Sequence, residues 1–389
     1  MKKTLAALAV LGAFGATSAF AADVTLYGLV DYGFNYQHID GDVDGVDAVD
    51  NFKMMSGQNS GSRFGLKGTE DLGNGLKVIF QLENGFSADD GTFSTSGTLF
   101  DRQASLALNG AFGEVAFGRM GQLASSLGSY GLLGATSPFS TGWQDISGEK
   151  FVMAKGQTRY DNMITYKTPT FAGFTAFAQY SFGNSGDSDT TGKEWAEGKA
   201  SADRYYGIGA TYKTQSLYLV GVVDSINYGS QQTTASTKDL DDSLTVTLGG
   251  NYDFGFMKTY AAFQYFDNAV GVGQKLIGQD AISATASSAQ AQFAAHGAEG
   301  YSASLGVGVP ALGGTAKAHV GYVTAEDTKD SDKLEMTRWN VVVGYDYNLS
   351  KRTFVYTSAA FMQDKYETKG NRDQEPSAVE VTAGLVHKF

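Results

Sequence analysis

The chain has 389 residues and no cysteine, so disulfide bonds and thiolate metal sites are excluded. Its 41 acidic residues outnumber its 29 basic ones, and the net charge of −12 makes nucleic acid an unsuitable partner. Gly is frequent at 50 residues and Pro scarce at 4, while Tyr and Phe, at 21 and 25, far outnumber Trp at 3. This composition fits an apolar wall around a polar interior.

The first 21 residues have the pattern of a secretory signal. Lys2 and Lys3 form a positive start, 5–16 is an apolar run, and 19–21 reads Ala-Phe-Ala, a small-x-small cleavage site. We expect residues 1–21 to be a cleaved signal peptide and residues 22–389 to form one domain. Removing Lys2 and Lys3 leaves 27 basic residues against 41 acidic ones, a net charge of −14.

After the signal, apolar and polar residues alternate with period two, the pattern of half-buried strands. In chain order the predicted strands are 24–36, a strand that ends at Glu70, 76–87, 99–109, 113–119, 158–167, 174–182, 204–214, 217–226, 243–252, 257–266, 300–309, 315–325, 336–347, 353–363 and 379–389. Asn74-Gly75 predicts a tight hairpin. Short and long connections alternate, as they do when short turns face the periplasm and long loops face outside.

The length and number of these strands favour a membrane barrel over a soluble β-sandwich, which also alternates. Sandwich strands average 5–6 residues, whereas these run mostly about 9–12 residues, enough for a tilted membrane crossing. No later stretch reaches the length of a membrane helix, and only helices and closed barrels satisfy every backbone polar group in lipid. The sequence therefore predicts an all-β, antiparallel transmembrane barrel of roughly sixteen strands in the outer membrane.

Single strands indicate which face meets lipid. Between 338 and 348, Trp339 and Val341 alternate with Arg338 and Asn340. A charge on the lipid face at mid-depth costs about 2–4 kcal/mol, so Arg338 is expected to face inward or to lie near an interface. The closing strand ends on Phe389, which is expected in an interfacial aromatic girdle.

The candidate motifs for catalysis or metal binding lack residues that the chemistry requires. The stretch 40–45 starts like a calcium loop, but its twelfth position is Asn51 rather than Glu and no helices flank it. The four His residues are scattered without metal-ligand spacing, and no nucleophile elbow, phosphate loop or dinucleotide fingerprint is present. We expect no enzyme activity, no cofactor and no metal, with a hydrolase barrel as a remote alternative. The acidic loops are expected to be solvated, or alternatively to bind divalent cations near lipopolysaccharide.

Several stretches resemble the general diffusion porins of Gram-negative bacteria. They are 27–31 (YGLVD), 62–75 (SRFGLKGTEDLGNG), 112–120 (FGEVAFGRM) and 159–162 (RYDN). Two more, 347–353 (YNLSKRT) and 386–389 (VHKF), are similar to the betaproteobacterial branch. The resemblance implies a homotrimer of sixteen-stranded barrels, each a water-filled channel for passive diffusion of small hydrophilic solutes and ions. It also implies outer-membrane lipid and lipopolysaccharide as surroundings and insertion by the outer-membrane assembly machinery, with Phe389 as an assembly residue.

The resemblance further implies that the third external loop, here 121–157, folds inward and narrows the channel. Basic side chains on one wall would then oppose acidic groups on this loop, and matching the motifs assigns the wall to Arg63, Arg102, Arg119 and Arg159. Arg119 shares its phase with outward-facing residues, so the strand must end before it or be irregular there.

The loop itself departs from the family pattern, because it carries little acid before Asp145 and Glu149, the two residues that we expect to be its carboxylates. Charges beyond about 8 Å are screened at physiological salt, so the basic wall would outweigh the acidic outer loops and favour anions. The alternative function is a surface adhesin or structural barrel, in which long loops such as 268–299 carry the contacts.

Overall fold

The computed structural model describes residues 23–139, 146–154, 158–183, 202–229, 240–272, 284–328, 334–368 and 372–389. The predicted signal peptide at 1–21 lies outside this part of the chain. Among the described residues, no helix has the length and apolar character needed to cross a membrane.

Seventeen antiparallel strands form one sheet that closes on itself. They are β1 Thr25–Asp40, β2 Val49–Ser56, β3 Arg63–Gly73, β4 Leu76–Gly85, β5 Gln103–Gly110, β6 Gly113–Gly121, β7 Arg159–Lys167, β8 Phe174–Ser181, β9 Arg204–Lys213, β10 Leu217–Asn227, β11 Leu244–Asp253, β12 Lys258–Ala269, β13 Ala298–Ala311, β14 Gly314–Asp327, β15 Glu335–Asn348, β16 Thr353–Glu367 and β17 Ser377–Lys388. One helix, α1 (Ala284–His296), precedes β13, and two short 3₁₀ turns, Leu133–Ala135 and Glu149–Val152, lie between β6 and β7.

Two of the strands occupy a single position in the barrel. β2 pairs with the upper part of β1, from Tyr32 to Ile39, and β3 pairs with the lower part of the same strand, from Thr25 to Leu29. Residues 57–62, between β2 and β3, leave the ladder. The barrel therefore has sixteen strand positions, and the predicted fold class and strand number are confirmed.

The first and last strands close the cylinder. β1 and β17 pair continuously from Leu29↔Lys388 to Asp40↔Ser377. The hairpin predicted at Asn74-Gly75 joins β3 to β4, and both residues have positive φ, +53° and +77°. Tight two-residue turns of this hand need such angles, which Asn and Gly adopt at little cost.

The two faces of the sheet follow the predicted alternation. Trp339, Val341 and Val343 of β15 are exposed on the outer surface. Arg338 and Asn340, which alternate with them along the strand, are buried on the inner side. The buried apolar clusters lie inside the barrel, where the segment between β6 and β7 packs against the wall. Helix α1 joins one of these clusters through Ala289 and Phe293. Part of the interior is therefore filled with protein.

Candidate functional site

The long segment between β6 and β7, which we call the inner loop, lies inside the barrel. Its start contacts β8, where the Leu123 N–H donates to Oε1 of Gln179 at 3.0 Å. A turn then reaches towards β4 and β5, and the Ser129 hydroxyl donates to Oε1 of Gln81 at 2.6 Å. The predicted inward fold of this loop is confirmed.

Described residues in the rest of the inner loop contact the wall at β11, β17 and β12 in turn. Asn251 of β11 donates its amide hydrogen to the Ala135 carbonyl at 2.8 Å. At the far side the Ser147 hydroxyl donates to Oε1 of Glu380 in β17 at 3.0 Å. On the return, the Ala154 N–H donates to Oε1 of Gln264 in β12 at 2.8 Å. The described parts of the loop therefore contact the wall at β4, β5 and β8 near its start, and at β11, β12 and β17 along the rest of its path.

The four arginines predicted from the sequence come together on the wall around β3, β5, β6 and β7. Arg63 begins β3, Arg102 directly precedes β5, Arg119 lies in β6 and Arg159 begins β7. Nε of Arg159 donates to the carbonyl of Arg102 at 2.7 Å, and Nε of Arg119 donates to the Asp101 carbonyl, also at 2.7 Å. The two ends of the inner loop thus enter and leave the wall beside this basic cluster.

Arg119 lies where the strand is irregular, as its phase in the sequence required. The register between β6 and β7 shifts between Gly118 and Met120, and Gly118 has φ of +120°. A bulge of this kind re-aims the side chains next to it. Nη1 of Arg119 donates to Oδ1 of Asp161 at 2.6 Å.

Two carboxylates of the wall itself neutralise part of the basic cluster, and sequence reasoning did not identify either of them. Nε of Arg102 donates to Oε1 of Glu83 in β4 at 2.8 Å, and Asp161 binds Arg119. Glu83 also accepts a hydrogen bond from the Tyr27 hydroxyl at 2.9 Å. Asp161 lies inside the quoted 159–162 motif, which was the available signal, whereas the pairing of Glu83 depends on strand register.

The other two arginines have neutral partners. Nη2 of Arg63 donates to the Ser60 hydroxyl at 2.9 Å, and Arg159 bonds the carbonyl of Arg102 while its Nη2 is buried without a hydrogen-bond partner. Neither guanidinium forms an ion pair with a residue in the described part of the chain. Ser60 is itself fixed, because its N–H donates to Oδ2 of Asp31 at 2.7 Å. Two of the four guanidinium groups therefore lack a carboxylate at ion-pair distance, while Asp31 and Asp101 lie near enough to attract Arg63 and Arg159 electrostatically.

The two acids predicted for the inner loop have different outcomes. Asp145 lies outside the described residues. Glu149 is buried behind the loop, where its carboxylate accepts hydrogen bonds from the hydroxyls of Thr136 at 2.5 Å and of Ser304 in β13 at 2.9 Å. Burial raises the pKa of Glu149 to about 7, although both hydroxyls act to lower it. Its assignment to the constriction stays a prediction.

One of the acidic outer loops has a basic partner. Nη2 and Nη1 of Arg372, which precedes β17, lie 2.8 Å from a carboxylate oxygen of Asp42 and 3.3 Å from one of Asp44. No cluster of three or more His, Asp or Glu residues suited to a metal ion occurs within the described ranges. Divalent-cation binding by the acidic loops stays a prediction.

Comparisons with known proteins agree on one family. The profile of the Gram-negative porins matches residues 5–367. The chain is 32% identical to an outer membrane porin protein of Bordetella pertussis over the full length of both proteins. It is also 32% identical to outer membrane porin protein 32 of Delftia acidovorans, covering 94% of this chain and 90% of that protein. Among solved structures, an anion-selective porin from Comamonas acidovorans superposes with a TM-score of 0.66 at 26% identity, covering 95% of this chain and all of that one.

Proposed function

We propose, from the premise that this chain belongs to the Gram-negative porin family, that its channel narrows between the arginine cluster and the inner loop and favours anions there. The chain forms a water-filled channel in the outer membrane through which small hydrophilic solutes and ions diffuse passively. A sixteen-stranded wall leaves an aqueous lumen, and the inner loop occupies part of it.

The observation that carries the anion preference is the pair of guanidinium groups without carboxylate partners, Arg63 and Arg159. Arg stays protonated at any physiological pH, and charges lining the narrow part of a pore bias which ions enter it. The acidic outer loops lie at the mouth, and salt screens charges over about 8 Å at physiological ionic strength. The anion selectivity named for the Comamonas porin, at 26% identity, supports the same direction.

The test is the reversal potential across a salt gradient in planar bilayers. We expect the parent channel to prefer anions, and the Arg63→Ser/Arg159→Ser variant to have a larger conductance and a shift towards cations. Lys351→Ser/Arg352→Ser is the matched control, because it removes the same two positive charges from an exposed turn between β15 and β16. Equal selectivity for the parent and the double variant would place these arginines away from the narrow part.

The assembly and processing of the protein belong to the same proposal. We infer that the protein is a homotrimer surrounded by lipid and lipopolysaccharide and that it catalyses no reaction. Residues 1–21 are cleaved on export, and the outer-membrane assembly machinery inserts the mature chain. The family resemblance supports these points. Bilayer recordings test the stoichiometry, since one insertion event should close in three equal steps. Closure in a single step of full amplitude would contradict the trimer.

A further inference from the structure

Five glycines of the inner wall lie directly behind the inner loop, and at four of them an added Cβ atom would come within 3.0 Å of a loop atom. A Cβ atom at Gly209 would lie 3.2 Å from Cδ1 of Leu132, and one at Gly249 would lie 2.7 Å from Cγ2 of Thr136. At Gly306 it would lie 2.9 Å from Cγ of Pro138 and closer still to its Cδ. At Gly321 it would lie 2.7 Å from Cγ2 of Val152, and at Gly344 2.8 Å from Cε1 of Phe139. We call these residues the seat glycines.

The seat glycines are required by space and not by backbone conformation. None of them is among the residues with positive φ, so other residues could adopt their backbone angles. They lie on β9, β11, β13, β14 and β15, and the loop passes over them in chain order from Leu132 to Phe139 before Val152 returns over β14. Carbon atoms in ordinary contact are about 3.5–4.0 Å apart. The loop is therefore closer to the wall, by about 1 Å at the tightest points, than it could be over alanine.

Polar contacts hold the loop against this seat. Nη1 of Arg338 in β15 donates to the Phe151 carbonyl at 3.0 Å, while its Nε and Nη2 donate to Asp364 at 2.5 and 2.7 Å. Glu149 bonds Ser304 of β13, two residues from Gly306 on the same face. With the hydrogen bond between Ala154 and Gln264, these contacts fix the return path of the loop. The loop cannot slide along the wall without breaking them.

We propose that the width of the channel is set from behind the inner loop, by the seat glycines acting as positioning residues, with Gly306 as the tightest. β13 is hydrogen-bonded along its length to β12 and β14, so this strand resists displacement outward. Pro138 is only partly buried, so the loop has open space on its other side at this point. A methyl group added at Gly306 therefore moves the loop into the lumen. The inference rests on the proposed function, a channel narrowed by the inner loop, since only then does the depth of the loop determine the bore.

The experiment is a single-channel conductance series on the purified full-length protein in planar bilayers. Gly306→Ala should lower the conductance and the size limit for sugars in liposome swelling, and Gly344→Ala should act in the same direction through Phe139. Gly308→Ala is the matched control, because it lies on the same strand and face but a Cβ there would have its nearest neighbours at 3.7 and 3.8 Å. It should conduct like the parent.

A second substitution tests the contact itself. Pro138→Ala removes the Cγ and Cδ atoms that the new methyl group would overlap, so Gly306→Ala/Pro138→Ala should recover most of the parent conductance. Recordings report only inserted channels, and a lower folding yield does not obscure the result. Equal conductance for Gly306→Ala and Gly308→Ala, or a wider Gly306→Ala channel, would overturn the proposal.

The two proposals can fail separately. If the arginine variants alone shift ion selectivity, the arginine assignment stands and the role of the seat glycines fails. If the glycine variants alone change conductance, the role of the seat glycines stands and the arginine assignment fails.

Discussion

The individual arginines of the cluster could be located from the sequence more readily than their partners. Arg63 and Arg159 were found by motif, because short stretches around them keep a recognisable order. Glu83 was missed because its ion pair with Arg102 joins two neighbouring segments of the wall. Which residues face each other there is set by the register of the strands β3, β4 and β5. The burial of Glu149 was missed for the same reason, since it depends on how the inner loop meets Ser304.

Glu149 gives a prediction at the residue scale. Burial raises its pKa from 4.5 to about 7 in the folded protein, so between these values the folded state retains a proton that the unfolded state has lost. The free energy of unfolding therefore falls as pH rises from about 4.5 to 7, by roughly 3 kcal/mol at most. Glu149→Gln should remove this decrease. Thermal midpoints of the detergent-solubilised protein at pH 5 and pH 8 measure it.

Asp90→Asn is the control for the pH experiment. Asp90 lies in an exposed loop, where hydrogen bonds from Thr92 lower its pKa, so it is ionised throughout the window from pH 5 to pH 8. Its replacement should leave the difference between the two midpoints as it is in the parent. A Glu149→Gln protein that kept the full difference would contradict the role given to the buried carboxyl group.

At the scale of elements, regular strands were predictable and the loop interior was not. Alternation located the strands, because one face of each must be apolar and the pleat has period two. Helix α1 lies within the long 268–299 loop, where no helix was predicted. Its Ala-rich sequence, free of Gly and Pro, was an available signal. The path of the inner loop depends on distant wall positions such as Gly249 and Gly306, and no local pattern encodes it.

The pairing of β15 with β16 gives a prediction at this scale. Arg338 and Asp364 form a bidentate ion pair in which both side chains are completely buried, and the Tyr366 hydroxyl also donates to Asp364 at 2.8 Å. Removing one partner of such a pair leaves a buried charge uncompensated and typically costs about 3–5 kcal/mol. Arg338→Met should lower the free energy of unfolding by that order, measured by guanidinium unfolding in detergent.

Two further variants separate the ion pair from general damage to the strand. Arg338→Met/Asp364→Leu should recover much of the loss, because an apolar pair of similar volume replaces a buried ion pair at little cost. Lys365→Met breaks solvent-exposed ion pairs with Glu367 and Asp373 and should lower the free energy of unfolding far less than Arg338→Met does. Equal losses for Arg338→Met and Lys365→Met would show that burial of the pair is unimportant.

At the scale of the whole molecule, the sequence predicted a closed cylinder but not how its interior is divided. Exposed apolar residues on alternate positions are sufficient to define an outer wall. The division of the lumen arises from contacts among segments far apart in the chain. One buried cluster joins Val152 of the inner loop, Phe293 of α1 and Tyr366 of β16. This cluster contains no residue of β3 to β7, the strands next to the arginines.

Phe389 extends the contact that closes the barrel between β1 and β17. The Phe389 N–H donates to the Gly28 carbonyl at 3.0 Å and the Gly28 N–H donates back to the Phe389 carbonyl at 3.2 Å. The ring of Phe389 lies across Gly28, where a Cβ atom would come within 2.5 Å of Cζ. The side chain is 45% exposed, so it covers the seam between β1 and β17 with one face and meets the surroundings with the other.

Phe389→Ala should therefore weaken closure itself. Fully burying a Phe side chain contributes about 1.5–3 kcal/mol, and a half-buried ring should contribute roughly 1 kcal/mol to the free energy of unfolding in detergent. Phe171→Ala is the control, since this ring in the turn between β7 and β8 is 82% exposed. A loss shared equally by both variants would argue against the seam contact. If Phe389→Ala unfolds like the parent in detergent yet accumulates poorly in the outer membrane, the ring acts in insertion by the assembly machinery and not in holding the finished cylinder shut.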